Sequence, residues 1–83
     1  MKKVVIWTFK RCPFCVKSKI LLDQLNVEYE EIQIPFGDKR LNELALKTGC
    51  TTLPQTFVND EYIGDNSRLY ELQAEGVLES ILK

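Results

Sequence analysis

A short apolar run near the N-terminus limits most strongly how this chain can fold. Lys3–Thr8 (KVVIWT) is rich in β-branched and aromatic residues, a composition typical of a β-strand that is buried on both faces. Such a strand needs packed structure above and below its sheet. The run therefore predicts a sheet with helices on both faces.

The next segments predict a helix and a second strand. Pro13 suits the first turn of a helix, where its missing N–H has no intrahelical partner. Apolar residues then follow at helical spacing until Asn26, namely Val16, Ile20, Leu21 and Leu25. Beyond Asn26, residues 27–34 (VEYEEIQI) alternate apolar residues with acids, which indicates a half-exposed strand.

The second half predicts a helix, a hairpin and two short helices. Asp38 can cap a helix that ends at Gly49, and residues 55–58 and 61–64 flank an Asn-Asp turn. From Ser67 onward, leucine-rich segments on either side of Gly76 indicate two short amphipathic helices. We expect Trp7, Phe57 and Tyr70 to lie in the core.

The order of elements is βαβαββα, an α/β arrangement. A strand–helix–strand unit pairs its strands in parallel with a right-handed crossover, and the hairpin can add antiparallel strands to the same sheet. The result is a four-stranded mixed sheet with helices on both faces. At 83 residues the chain has room for one domain, so residues 1–83 are expected to form a single domain.

Composition and charge limit which binding partners and which cellular compartment are expected. The net charge of −1 argues against a nucleic-acid partner. The apolar run Val4–Trp7 is shorter than the ~7–15 residues of a signal-peptide core. No segment approaches the ~20 apolar residues of a membrane span, so a cytoplasmic protein with no membrane partner is expected.

Basic residues are concentrated around a pair of cysteines, Cys12 and Cys15. This uneven distribution fits either a solvated helix face or a site that attracts anions. Six basic residues precede the first acid, Asp23: Lys2, Lys3, Lys10, Arg11, Lys17 and Lys19.

The cysteine pair itself could bind metal or be redox-active. A structural zinc site needs four ligands, but beyond the pair the chain offers only Cys50 and no histidine, so no metal site is expected. Residues i and i+3 at a helix start lie close enough for a disulfide. Because the helix N-terminus stabilises a thiolate at the earlier position, Cys12 is the expected nucleophile and Cys15 the second thiol. Cys50 is expected to be a half-buried residue without a catalytic role.

Three segments resemble the glutaredoxins across nearly the whole chain. Residues 12–15 (CPFC) resemble their Cys-Pro-Tyr-Cys site, residues 51–58 (TTLPQTFV) their Thr-Val-Pro-Gln segment, and residues 62–83 their C-terminal turn and helices. The resemblance implies a thioredoxin fold and a thiol–disulfide oxidoreductase that uses glutathione as reductant. It also implies that the substrates are disulfide-containing or glutathionylated proteins. The chain is expected to act as a monomer.

The resemblance further implies where glutathione binds. In the family the proline after the second helix is cis, which makes Leu53–Pro54 the expected cis bond here, with the Leu53 backbone pairing to the cysteinyl part of the ligand. Backbone N–H groups at the start of the third helix would hold the γ-glutamyl carboxylate. The implied contacts are Lys10, Arg11, Phe14, Thr52, Leu53, Pro54, Asn66 and Ser67.

The chain departs from the family pattern at two places. Many glutaredoxins carry a second glycine and two acids where this chain has residues 64–68 (GDNSR), so the ammonium group of glutathione loses its expected partner and Arg68 is expected nearby. Many also carry a basic residue three positions before the first cysteine, to hold the glycine carboxylate of glutathione. Phe9 occupies that position here.

These departures leave two alternatives to the glutathione-linked enzyme. One is a redoxin reduced by an enzyme resembling thioredoxin reductase. The other is an iron–sulfur cluster carrier, in which two chains would share a cluster through Cys12 and glutathione. The proline between the cysteines and the second available thiol favour the enzyme.

Overall fold

The computed structural model describes residues 2–83, and its elements follow the order predicted from the sequence. The tail forms two helices, as expected. The elements are β1 (Val4–Phe9), α1 (Pro13–Gln24), β2 (Glu30–Ile34), α2 (Lys39–Thr48), β3 (Gln55–Val58), β4 (Glu61–Gly64), α3 (Asn66–Ala74) and α4 (Leu78–Leu82).

The four strands form one mixed sheet in the order β2-β1-β3-β4. β1 pairs in parallel with β2, and β3 is antiparallel to both β1 and β4. The β3–β4 turn holds Asn59 and Asp60 at φ of 50° and 68°, the positive values that a tight hairpin turn requires. The predicted mixed sheet is therefore confirmed.

Successive side chains of β1 enter two separate cores. Val4 and Ile6 pack with leucines of α1, α3 and α4 on one face of the sheet. On the other face, Val5 packs with Phe57 and with Leu44 of α2. Alternation of this kind follows from the two-residue period of a strand. Helices thus cover both faces, as predicted.

The exact faces of some elements differ from the sequence predictions. Val16 and Ile20 of α1 are each 48% exposed, whereas Cys15 and Ser18 are buried. The buried face is rotated because α1 packs against α3 through the small side chain of Ser18, which donates a hydrogen bond to Asn66 Oδ1 at 2.8 Å. Tyr70, on the outer side of α3, is exposed rather than in the core.

β2 is shorter than predicted and begins at Glu30 instead of Val27. The N–H of Val27 donates to the carbonyl of Leu22 at 3.1 Å, which extends the turn after α1. Val27 therefore enters the core from this turn and not from the sheet. Within residues 2–83, no helix combines the length and the apolar character needed to cross a bilayer.

Candidate active site

Cys12 lies where β1 gives way to α1. The chain leaves β1 at Phe9 and turns at Arg11, whose φ of 60° is in the left-handed region. Cys12 is the N-cap of α1, and its sulfur accepts a hydrogen bond from the N–H of Cys15 at 3.3 Å. The positive end of the helix therefore faces the Cys12 sulfur.

The two thiols have different surroundings. Cys12 is partly exposed, whereas Cys15 is 1% exposed. Burial raises the pKa of Cys15 to about 12, and a side-chain hydrogen bond with Cys12 contributes in the same direction. At neutral pH Cys15 is therefore a protonated thiol held behind a more accessible one.

A loop between α2 and β3 lies against the Cys12 sulfur. The Leu53–Pro54 bond is cis, as the resemblance implies, and the Cys12 thiol lies 4.0 Å from the carbonyl oxygen of Leu53. Gln55, fully buried, holds the loop by donating to the carbonyls of Cys50 and Thr52 at 3.0 and 3.1 Å. This supporting amide was not identified from the sequence, where Gln55 looks like any strand residue.

Six of the predicted contacts line one groove of about 320 Å³, which we call the α3 groove. Asn66 and Ser67 are the first two residues of α3, and their backbone N–H groups have no partner within the helix. The hydrogen bond from Ser18 ties Asn66 to α1, the helix that carries both cysteines. The lining residues are Phe14, Thr52, Leu53, Pro54, Asn66 and Ser67, with Asp65 in addition.

Lys10 and Arg11 lie in a second groove of about 360 Å³, which we call the aromatic groove. Cys12 lines it, and so do Phe9 and Phe36. Thr52 and Leu53 line both grooves. The predicted contacts are thus divided between two adjoining surfaces. Phe36, which lines the aromatic groove, was not predicted from the sequence.

The structure corrects the expected position of Arg68. Its guanidinium pairs with Glu71 at 3.2 Å, and its side chain lines a different depression beside Ile63 and Leu72. Two residues after Asn66, a helical side chain lies roughly 200° around the axis, so Arg68 points away from the α3 groove. The acid at this turn is Asp65, whose carboxylate caps α3 by accepting from the Arg68 N–H at 2.9 Å.

Other features contain none of the predicted site residues. Cys50 is half-buried, as expected, and its sulfur accepts a hydrogen bond from the Tyr62 hydroxyl at 3.4 Å. A larger depression of about 560 Å³ is lined by residues such as Lys3, Tyr29 and Lys83 and has no cysteine in its lining. Across the described part of the chain, no cluster of three or more cysteine or acidic side chains is placed to hold a metal ion.

Fold and site together define a class of protein. A four-stranded mixed sheet carries a strand–turn–helix junction, with one accessible thiol at the helix start and one buried thiol three residues later. This arrangement is that of a thioredoxin-fold thiol–disulfide oxidoreductase.

Comparison with known proteins identifies the family. Residues 4–63 match the family model for glutaredoxin. Glutaredoxin 3 of Escherichia coli is 36% identical over the full length of both chains. Glutaredoxin 1 of Rickettsia conorii is 35% identical over 96% of this chain and 80% of its own length. The chain belongs to the glutaredoxin family, and it is a glutaredoxin-like thiol–disulfide oxidoreductase.

A solved structure agrees with this assignment. The crystal structure of a buckwheat glutaredoxin–glutathione complex superposes with a TM-score of 0.90 at 28% identity, over 98% of this chain and 76% of the buckwheat chain. The thioredoxin fold expected from the sequence is therefore confirmed.

Proposed function

We propose that this protein is a glutathione-linked oxidoreductase that reduces protein disulfides or glutathionylated proteins through the Cys12-Pro13-Phe14-Cys15 dithiol. The observation that carries the proposal is the contrast between the thiols. Cys12 lies at a helix N-terminus and lines the aromatic groove, and Cys15 is buried with its N–H on the Cys12 sulfur. An accessible nucleophile with a protected second thiol suits two-step disulfide exchange.

In the first step the thiolate of Cys12 attacks one sulfur of a substrate disulfide. A bond forms between Cys12 and that sulfur, the substrate S–S bond breaks, and the other substrate sulfur leaves as a thiolate that takes a proton from water. The N–H of Cys15 and the first turn of α1 stabilise the attacking thiolate.

In the second step either Cys15 or glutathione resolves the mixed disulfide. Burial, the largest cause of the raised pKa of Cys15, remains in the mixed disulfide, but the hydrogen bond and the charge of Cys12 no longer raise this pKa. Cys15 then loses its proton more readily than in the reduced protein and attacks the Cys12 sulfur, and the second substrate sulfur leaves as a thiolate that takes up a proton. Two molecules of glutathione reduce the resulting Cys12–Cys15 disulfide and become oxidised glutathione.

Glutathione is proposed to bind along the α3 groove. The amides of Asn66 and Ser67 would hold its γ-glutamyl carboxylate, and the backbone of Leu53 would pair with its cysteinyl part. Asp65 lines the same groove and can pair with the ammonium group, a task that the sequence analysis assigned to no residue of this chain. The glutathione complex of the buckwheat relative supports this choice of ligand.

The proposed partners are glutathione and disulfide-containing or glutathionylated proteins, on which the chain acts as a monomer in the cytoplasm. Cys12 needs no residue from a second chain for the chemistry above. Because no resident metal or cofactor takes part in these steps, the reduced protein alone should be competent once glutathione is supplied.

A coupled assay with two cysteine variants tests the proposal. Cys12→Ser should abolish reduction of every disulfide, because the nucleophile is lost. Cys15→Ser should still reduce a glutathionylated substrate at a rate within about tenfold of the natural chain, but should lose reduction of protein disulfides. Turnover would be followed with glutathione and its reductase, and separately with thioredoxin reductase.

The outcomes separate the alternatives. Turnover with thioredoxin reductase and none with glutathione would show that glutathione is not the reductant and would favour the redoxin reduced by such a reductase. An iron–sulfur absorption band in protein purified without oxygen, together with no turnover in either assay, would favour the cluster carrier. Activity retained by Cys12→Ser would refute the assignment of the nucleophile.

A further inference from the structure

The aromatic groove presents an unusual surface beside the reactive sulfur. Phe9 and Phe36 stack with ring centroids 4.5 Å apart and an interplanar angle of 15°. Phe36 is nevertheless 86% exposed. Contact with an apolar side chain of a bound ligand would remove this ring from water, and the ring shares a groove with Cys12.

The side chains that line the aromatic groove indicate what kind of ligand fits it. The walls of the groove include the apolar side chains of Phe9, Phe36 and Leu41, and its lining also contains the basic residues Lys10 and Arg11. An apolar side chain therefore fits the groove, and a neighbouring acid on the ligand would meet positive charge.

The groove is continuous with the proposed glutathione site. Thr52 and Leu53 line both the α3 groove and the aromatic groove. In the binding mode proposed above, with the γ-glutamyl group at Asn66 and the cysteine at Leu53, the residue that follows the cysteine would lie toward the aromatic groove. In glutathione that residue is glycine, which has no side chain to cover the aromatic surface.

We infer that the preferred substrates are disulfides of peptide segments in which a large apolar residue, above all an aromatic one, directly follows the cysteine. This inference rests on the proposed function. The aromatic side chain would stack on Phe36 while the preceding cysteine sulfur forms the mixed disulfide with Cys12. The chemical step is unchanged: the leaving sulfur departs as a thiolate and is protonated by water.

Two tripeptides that differ at one residue test the inference. γ-Glu-Cys-Gly is glutathione, and γ-Glu-Cys-Phe adds only an aromatic side chain at the position in question. The Cys15→Ser variant would be equilibrated with equal amounts of both thiols and their disulfides, and the two mixed disulfides on Cys12 would be counted by intact mass spectrometry. We expect the phenylalanine peptide to exceed glutathione by about fivefold.

Second-site variants locate the effect. In the Cys15→Ser background, Phe36→Ala should bring the ratio of mixed disulfides close to one, and Phe36→Tyr, which keeps the aromatic face, should preserve the preference. Leu46→Ala is a matched control, because Leu46 is 90% exposed and lies outside the groove lining. It should leave the ratio unchanged.

The possible failures are distinguishable. Equal amounts of the two mixed disulfides in the Cys15→Ser protein would overturn the inference and leave the proposed function intact, and so would a preference that survives Phe36→Ala. If neither tripeptide forms a mixed disulfide on Cys12, the proposed function fails instead.

Discussion

At the scale of single residues, the two thiols three positions apart have different hydrogen bonds and different exposure. Cys12 accepts the N–H of Cys15 and is partly exposed, whereas Cys15 is buried behind it. Their order in the helix decides this, because only the N-cap position faces the free amides of the first turn.

The raised pKa of Cys15 predicts a pH-dependent pattern of alkylation. In the reduced protein, iodoacetamide should label Cys12 at pH 7 and leave Cys15 unmodified up to about pH 9, since only a thiolate reacts and the pKa of Cys15 is about 12. Peptide mass spectrometry measures both sites. Faster labelling of Cys15 than of Cys12 at neutral pH would contradict the assignment.

The same pKa has a consequence for stability. The ordinary pKa of this thiol is 9.0, and in the folded chain it is about 12. Because the unfolded thiol ionises first, the folded state loses stability as the pH rises from 9.0 toward 12. In denaturant, Cys15 should therefore become reactive at the pH of an ordinary thiol, which serves as the control for the alkylation experiment.

Asp65 leads to a second prediction at this scale. Asp65→Asn keeps a good N-cap for α3 but removes the negative charge from the α3 groove. If Asp65 pairs with the ammonium group of glutathione, the apparent KM for glutathione should rise about three- to tenfold with little change in kcat. Glu71→Gln, in the same helix but outside this groove, should have no effect. An unchanged KM in Asp65→Asn would place the ammonium elsewhere.

At the scale of elements, a buried hydroxyl links β1 to β2 and, through a shared carboxylate, to α1. Thr8 is fully buried and donates to Glu31 Oε2 at 2.7 Å, and Lys19 pairs with the same oxygen at 3.0 Å. The hydrogen bond from Thr8, more than the charge of Lys19, holds the pKa of Glu31 below its usual value. These contacts fix α1, and with it Cys12, against the sheet.

Thr8→Val should lower the free energy of unfolding by about 1 kcal/mol at pH 7, since it removes the donor and keeps the shape. A carboxylate with a depressed pKa contributes stability above its unfolded pKa of about 4.5 and loses that contribution as the pH falls through the folded value. The difference in the free energy of unfolding between Thr8→Val and the natural chain should therefore be smaller at pH 3 than at pH 7. Urea unfolding at both pH values measures this difference. Thr8→Ser keeps the hydroxyl, so its free energy of unfolding should depend on pH as that of the natural chain does.

The sequence predicted the elements because their signals are local. The β-branched run of β1, the proline at the start of α1 and the turn residues Asn59 and Asp60 each act on neighbouring backbone. The apolar spacing of α1 indicated its buried face only in part, with Leu21 and Leu25 in or against the core but Val16 and Ile20 exposed, because this face also depends on a distant element. Ser18 and Cys15 are buried where α3 and the sheet approach, although neither residue stands out from a pattern of apolar spacing.

In the candidate site, too, the features with local sequence signals were predicted and those that depend on the fold were not. Cys12, Cys15 and the cis Leu53–Pro54 bond were expected from motifs at fixed spacing. Phe36 and Asp65 were missed because their positions depend on how loops fold over the sheet. A signal for Asp65 existed, since an aspartate before a helical segment is a common N-cap.

At the scale of the whole molecule, β1 joins the two cores. Ile6 faces the core beneath α1 and α3, while Val5 and Trp7 face the core beneath α2. β1 also hydrogen-bonds to both of its neighbours in the sheet. Since neither core can lose its packing without disturbing this strand, we expect residues 1–83 to unfold as one domain.

Trp7, the single tryptophan of the chain, makes this expectation measurable. Leu69 is fully buried in the core on the opposite face of the sheet, and Leu69→Ala should lower the free energy of unfolding by about 3 kcal/mol through lost burial and a residual cavity. If the two cores are coupled through β1, urea transitions followed by Trp7 fluorescence and by far-UV circular dichroism should shift together and coincide. Tyr70→Ala, which truncates an exposed neighbour on α3, should shift both transitions far less. If Leu69→Ala shifts the urea midpoint seen by circular dichroism but not the midpoint seen by Trp7 fluorescence, the two cores unfold separately.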